Sequence, residues 1–227
     1  MWKRIVVSIS GGLLLMEKDG SMFRKYAEAL STIRNRVDVL VAVAGGGDYA
    51  RDYITMAKNC GLDEKKQDVM GIAITRVNAL LLSMLLDLGG AVPESYEEVV
   101  KKARRNGLAV CGGMKPGQST DKVAADIAAM LDADVVLNAT KVDGLYTRNP
   151  AEEGAELLKK ATYEEMRRIL SREEQSPGRY ALFDLSAIDV LEEHNIPLII
   201  FNGRDVNNLL RAVEGQPVGT IVKRVFA

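Results

Sequence analysis

The sequence predicts an α/β protein built around a mainly parallel sheet, and three observations predict it. Short apolar runs rich in Val or Ile recur along the 227 residues, and helical patterns fall between them. No linker rich in Pro, Ser or Gly, no internal repeat and no low-complexity tract divides the chain.

The runs at 4–9, 39–44, 108–111, 134–139 and 197–202 are each short and bounded by Gly, Asn or Asp, as expected of strands buried on both faces. Helical patterns cover 22–35, 49–59, 71–88, 96–106, 122–131, 163–171, 187–194 and 206–215. Strand and helix alternate, so crossover connections and parallel pairing follow. The polar stretch 172–179 carries Pro177 and Gly178 and is expected to be a mobile loop. The whole is expected to be one domain of two functional lobes, 1–107 and 108–227, dividing near Gly107.

Composition narrows the possible functions. With 47% hydrophobic and 27% charged residues the chain can bury a substantial core and keep a solvated surface. Thirty Lys and Arg against 31 Asp and Glu give a formal charge of −1, which supplies no field for a nucleic acid polymer or an anionic membrane. Cys60 and Cys111 are far apart, show no metal-ligand spacing, and read as free thiols serving as small buried hydrophobes in a reducing compartment. The run Ile5-Val6-Val7 is soon broken by Gly11-Gly12, and no span approaches the roughly 20 apolar residues of a membrane helix. A cytoplasmic location is expected.

The chemistry is expected where strands end in glycine. After the first strand comes Ser10-Gly11-Gly12, whose amides can approach an anion because glycine lacks a Cβ. After the second, Gly45-Gly46-Gly47 opens a helix whose N-terminus suits phosphate, with Arg51 one turn further on and Asp48 as a candidate N-cap. After the third, 112–121 offers Ser119, Thr120 or Asp121 as a cap and spare hydroxyls as donors. Three such loops in one α/β chain point to a ligand at the carboxyl ends of the strands.

The fourth such segment, Asn138-Ala139-Thr140-Lys141-Val142-Asp143-Gly144-Leu145-Tyr146-Thr147-Arg148-Asn149-Pro150, resembles the nucleotide-binding stretch of the amino acid kinase family. Within that family, Asp68-Val69-Met70-Gly71-Ile72-Ala73-Ile74-Thr75-Arg76-Val77-Asn78-Ala79 and Pro116-Gly117-Gln118-Ser119-Thr120 resemble the UMP kinases, the archaeal type in particular. The matching segments span Ser8 to Gly203. The resemblance implies a three-layer αβα sandwich, transfer of the γ-phosphoryl group of ATP to UMP in pyrimidine nucleotide biosynthesis, a requirement for Mg²⁺, and a homohexamer built as a trimer of dimers.

The resemblance also assigns residues. UMP would be bound by Gly46, Asp68, Met114, Lys115, Pro116, Gly117, Gln118, Ser119 and Thr120. ATP would be contacted by Gly11, Gly12, Gly47, Arg51, Thr140, Lys141, Tyr146 and Asn149. Tyr146 can offer an aromatic face to adenine, and Asp68 can accept hydrogen bonds from ribose hydroxyls. Transfer between two polyanions needs positioning and the screening of roughly −6 of combined charge. No Gly-x-x-x-x-Gly-Lys-Ser/Thr loop is present. Lys141, supported by Arg51, is therefore the expected cation at the transferring group, with Asp184 organising the positive groups.

Three positions depart from the family pattern: Ser8 stands where bacterial relatives carry lysine, Ser10-Gly11-Gly12-Leu13 replaces Gly-Gly-Ser, and Asn149 replaces an acidic residue. They leave a second reading open, a nucleotide-binding sensor or inactive subunit of the same fold, alongside another small-acceptor kinase of the family. The single histidine, His194, falls late in a helix and reads as a surface or C-cap residue rather than a site residue. The helix at 71–88 is apolar nearly all round, which fits either a subunit interface or a central core helix.

Overall fold

The computed structural model describes residues 2–173 and 182–226. Its strands are β1 (Arg4–Ile9), β2 (Val39–Ala44), β3 (Leu108–Cys111), β4 (Val135–Thr140), β5 (Lys160–Thr162), β6 (Leu198–Asn202) and β7 (Thr220–Lys223). Its helices are α1 (Gly11–Leu14), α2 (Ser21–Arg34), α3 (Gly47–Asn59), α4 (Glu64–Leu85), α5 (Tyr96–Asn106), α6 (Thr120–Leu131), α7 (Tyr163–Glu173), α8 (Leu185–Glu193) and α9 (Asn207–Val213). The strands form one sheet in the order β3-β2-β1-β4-β6-β7-β5, parallel throughout except where β6 meets β7.

The strands are apolar on both faces because both faces are covered. In β1, Val6 joins a core with Val99 and Val100 of α5, Ile127 of α6, Met166 of α7 and Ile188 of α8. Ile5 and Val7 join a second core with Leu13 of α1, Tyr26 and Leu30 of α2, Leu82 of α4 and Leu209 of α9. Burying each such side chain contributes about 1.5–3 kcal/mol. Helix α3 lies outside, against α4. This is the expected three-layer αβα arrangement.

Local chemistry sets the helix ends. Ser95 caps α5 by accepting from the Glu98 amide at 3.3 Å, and Gly107, at φ 72°, ends it. Glu97 and Glu98 in its first turn and Arg104 and Arg105 in its last complement the helix dipole. His194 is the C-cap of α8.

The expected bounds of β1, β2, β3 and α5 coincide with the observed ones. Four features differ. β5 and β7 are three and four residues long and lack a continuous apolar run, so periodicity does not reveal them. Gly11–Leu14 is a helical turn rather than an open loop. α4 begins seven residues before the expected start, because Asp63 accepts from the Lys66 amide at 2.9 Å and caps a polar first turn. Cys111 is buried as expected, but Cys60, at the C-cap of α3, is exposed. Residues 174–179 of the expected mobile loop lie outside the described residues.

The membrane-span expectation also needs correction: α4 is long and apolar enough to cross a membrane by length and composition, with a mean hydropathy of 1.5 over 18 residues. Its inner face packs on the protein through Gly71, Thr75, Asn78, Ala79 and Leu82, while Val69, Val77, Leu81, Met84 and Leu85 are exposed.

Candidate active site

Chain order reverses between β1 and β4. From β1 the sheet grows outward through β2 and β3, and β4 then starts the other half on β1's opposite side. Parallel crossovers leave a crevice beyond the carboxyl ends of the strands at such a point. A cleft of about 420 Å³ lies there, with Ser8 of β1 and its register partner Asn138 of β4 on its floor.

The walls are glycine loops held by α4. A Cβ on Gly11 would fall 2.5 Å from the Gly45 carbonyl oxygen, and one on Gly45 would fall 2.6 Å from the Gly11 amide nitrogen. Only glycines allow the loops after β1 and β2 to touch in this way. Buried Asn78 donates through Nδ2 to the Gly45 carbonyl at 2.8 Å. Thr75 accepts from the Gly113 amide at 2.7 Å and donates to the Ile72 carbonyl at 2.6 Å, which ties the loop after β3 to the same helix. Asp68, two turns earlier on α4, accepts from the Gly117 amide at 2.6 Å.

Two carboxyl groups stand behind the cleft in opposite ionisation environments. Asp121 on α6 accepts from Ser8 Oγ at 3.0 Å. Removal from water raises its pKa from 3.8 to about 7; the Ser8 hydrogen bond opposes that rise and the nearby Asp184 charge adds to it. Asp184 caps α8, accepting from the Ser186 amide at 2.8 Å, and also accepts from Ser119 Oγ at 2.5 Å and Ser186 Oγ at 2.7 Å. Burial pushes its pKa up, but these hydrogen bonds and the charge of Lys122 together bring it below 3.8. Ser119 therefore links two helix starts: it caps α6 by accepting from the Lys122 amide and donates to the cap of α8.

Of the residues expected at the acceptor, Gly46, Asp68, Gln118, Ser119 and Thr120 line the cleft, and Gly117 joins them through its bond to Asp68. Gln118 is oriented from behind, accepting from the Tyr96 hydroxyl at 2.8 Å. Met114 faces the core, Pro116 is exposed, and Lys115 lies 5.7 Å from the centroid of the Tyr96 ring. Of the residues expected at the donor, Gly11, Gly47, Arg51 and Thr140 line the same cleft. Lys141 follows β4 and crosses Gly12. Tyr146 donates to Asp143 at 3.2 Å, and burial with the Asp143 charge raises its pKa. Asn149 accepts from the Ala151 amide at 3.1 Å.

One expectation for the loop after β2 changes. Gly46, not Asp48, is the N-cap of α3, and Asp48 sits in the first turn. There it pairs with Arg51, both side chains exposed.

Sequence reasoning missed Thr75, Asn138, Ile54, Ile72 and Leu182 as lining residues, and gave Asp121 only a capping role. Thr75 and Ile72 lie within the 68–79 stretch and Asn138 begins the segment before Lys141, so the signal was present without the geometry. Nothing in the sequence places Ile54 or Leu182 beside them.

The sequence model of the amino acid kinase family matches residues 3–202. A protein from Methanobrevibacter smithii named uridylate kinase is 38% identical, the match covering 96% of this chain and 98% of that one. Another of that name from Hyperthermus butylicus is 39% identical, over 96% and 97%. The crystal structure of uridylate kinase from Archaeoglobus fulgidus superposes with a TM-score of 0.87 at 31% identity, over 96% of this chain and 99% of that one.

Proposed function

The chain belongs to the amino acid kinase family, and from that premise we propose that it is a UMP kinase, transferring the γ-phosphoryl group of ATP to UMP to give UDP and ADP. The observation that carries this reading is end-to-end similarity, at 38–39% identity, to proteins named uridylate kinase. The cleft at the β1/β4 reversal supports it, because one crevice gathers residues expected at both nucleotides.

On the acceptor side, Asp68 has one oxygen on the Gly117 amide and a second with which to accept from the UMP ribose. The amides of Gly46 and Gly47, at the start of the 13-residue α3, supply donors for phosphate oxygens. On the donor side, Thr140 at the end of β4 and Tyr146 and Asn149 after it would hold ATP, with Lys141 aimed back across α1. Residues assigned to each nucleotide come from both sides of Gly107, so the two lobes would hold acceptor and donor jointly.

Lys141 is the group we assign to the charge that develops on the transferring phosphoryl oxygens, and Asp184 and Ser119 fix the helix starts around it. Arg51 would have to leave Asp48 to reach phosphate, an exchange of one exposed anion for a more highly charged one. Among the described residues no group of three His, Cys, Asp or Glu side chains could hold a metal ion. Mg²⁺ would enter with the phosphates of ATP, which supply oxygen ligands of the kind it prefers.

The assembly we propose is a hexamer built as a trimer of dimers, in a cytoplasmic enzyme of pyrimidine nucleotide synthesis. Exposed Tyr53 and Met56 of α3 and Val69, Val77 and Leu81 of α4 form an apolar face suited to a second copy of the chain. The activity is tested by coupled measurement of ADP release with ATP, Mg²⁺ and each of UMP, CMP and dUMP. Turnover with UMP is expected; ATP binding without turnover on any of the three would overturn the kinase reading.

A further inference from the structure

Glycines earn their place for different reasons, and Gly12 differs from its neighbours. Gly11, Gly45 and Gly47 press on one another's backbone atoms, so a side chain on any of them would collide with main chain. Gly12 lies in the α1 turn without a positive φ, a backbone that any residue adopts. Outside its own helix, the three heavy atoms nearest a Cβ built on it belong to one side chain: Lys141 Cε at 2.5 Å, Nζ at 2.6 Å and Cδ at 3.7 Å. None of these nearest atoms is main chain, in contrast to the contacts of Gly11, Gly45 and Gly47.

Lys141 depends on that space. Among the described residues its ammonium has no hydrogen-bond or ion-pair partner, so no carboxylate fixes where it lies. β1 presents the uncharged Ser8 to the cleft, hydrogen-bonded to Asp121, so the lysine that reaches α1 comes from the segment after β4. We propose that Gly12 is a positioning residue for phosphoryl transfer: by lacking a Cβ it leaves the space in which the Lys141 side chain crosses α1, and so sets where the ammonium acts. This rests on the catalytic role given to Lys141 above.

The far end of a lysine can move aside, so Gly12→Ala is expected to fold with its Lys141 displaced. A misplacement of about 1 Å costs a catalytic group up to roughly 100-fold. The test is a double-mutant cycle on the full chain, with kcat and both KM values measured for wild type, Gly12→Ala, Lys141→Ala and the double variant. Expected is a fall in kcat of about 10-fold or more for Gly12→Ala at nearly constant KM for UMP. In the Lys141→Ala chain the same change should shift kcat by less than about two-fold.

An equal loss in both backgrounds would mean that Gly12 acts on the backbone or on ATP directly, and overturns the proposal. So does a Gly12→Ala enzyme with wild-type kcat. Lys141→Ala with unchanged kcat removes the catalytic role of Lys141 and this inference with it, a result read from that single variant. Melting temperatures guard against a folding artefact: any loss in Gly12→Ala should be recovered in the double variant, where the obstructing side chain is gone. A loss that persists there also counts against the proposal.

Discussion

Replacing Asp121 with Asn should stabilise the protein most above pH 7 and progressively less towards pH 4. The carboxyl titrates at 3.8 in a solvated chain and at about 7 in the fold, where removal from water disfavours its charge. Between those values the unfolded chain has released a proton that the folded chain keeps. Raising the pH therefore favours unfolding, and stability falls through this window. Below about 3.8 both states hold the proton, and above about 7 both have lost it, so the dependence flattens at each end. From pH 5 to pH 8 the two titrations diverge by close to two pH units of work, or about 2–3 kcal/mol. For a chain of 227 residues this corresponds to roughly 5–10 °C in melting temperature. Asn keeps an acceptor for Ser8 Oγ but carries no charge. Thermal melts of wild type and Asp121→Asn at pH 5, 6, 7 and 8 should show the difference between them moving steadily in favour of the variant as pH rises. A difference that stays constant with pH, or that favours the variant more in acid, refutes the assignment of a raised pKa to Asp121.

Other outcomes follow from the same geometry. Asp68→Asn should raise the KM for UMP by about 10-fold and that for ATP by less than about two-fold, since Asp68 is placed on the acceptor; comparable rises in steady-state kinetics would contradict this. Lys141→Ala should lower kcat by about 100-fold or more, and a change confined to ATP affinity would remove its transition-state role. Thr75→Val leaves the buried Gly113 amide without its acceptor and should cost about 1–3 kcal/mol in urea unfolding, while Thr75→Ser should recover most of it. Light scattering behind size exclusion should find an assembly of several chains, and introducing Glu at Leu81 should dissociate it; a wild-type monomer would refute the proposed interface.

Much of the architecture was legible because burial on two faces leaves a plain mark. β2 and β3 are unbroken apolar runs and β1, after its first residue, is interrupted only by Ser8, whereas β7 is held by pairing and by buried Thr220 and writes no such run. α5 was legible from its helical pattern over 96–106, while the first turns of α4 are polar and rest on the single Asp63 cap. In the cleft the glycines, Asp68 and Ser119 were readable as types at a spacing. The divergent environments of Asp121 and Asp184 were not, since each depends on partners more than 60 residues away: Ser8 for the first and Ser119 for the second. Lys141 was recognisable as a cation of the right segment, but its path over Gly12 belongs to three dimensions.

The contact between Gly11 and Gly45 has a mechanical consequence. Two loops whose backbones touch cannot slide past each other without colliding, so the first and second strand loops behave as one stiff jaw. Any closing of the cleft on its substrates must then be hinged elsewhere, and of the ties from α4 to the loop after β3 the exposed Asp68–Gly117 bond would stretch sooner than the buried Thr75–Gly113 bond. Breaking and remaking that bond is how the opposite jaw would open to admit a nucleotide and shut behind it.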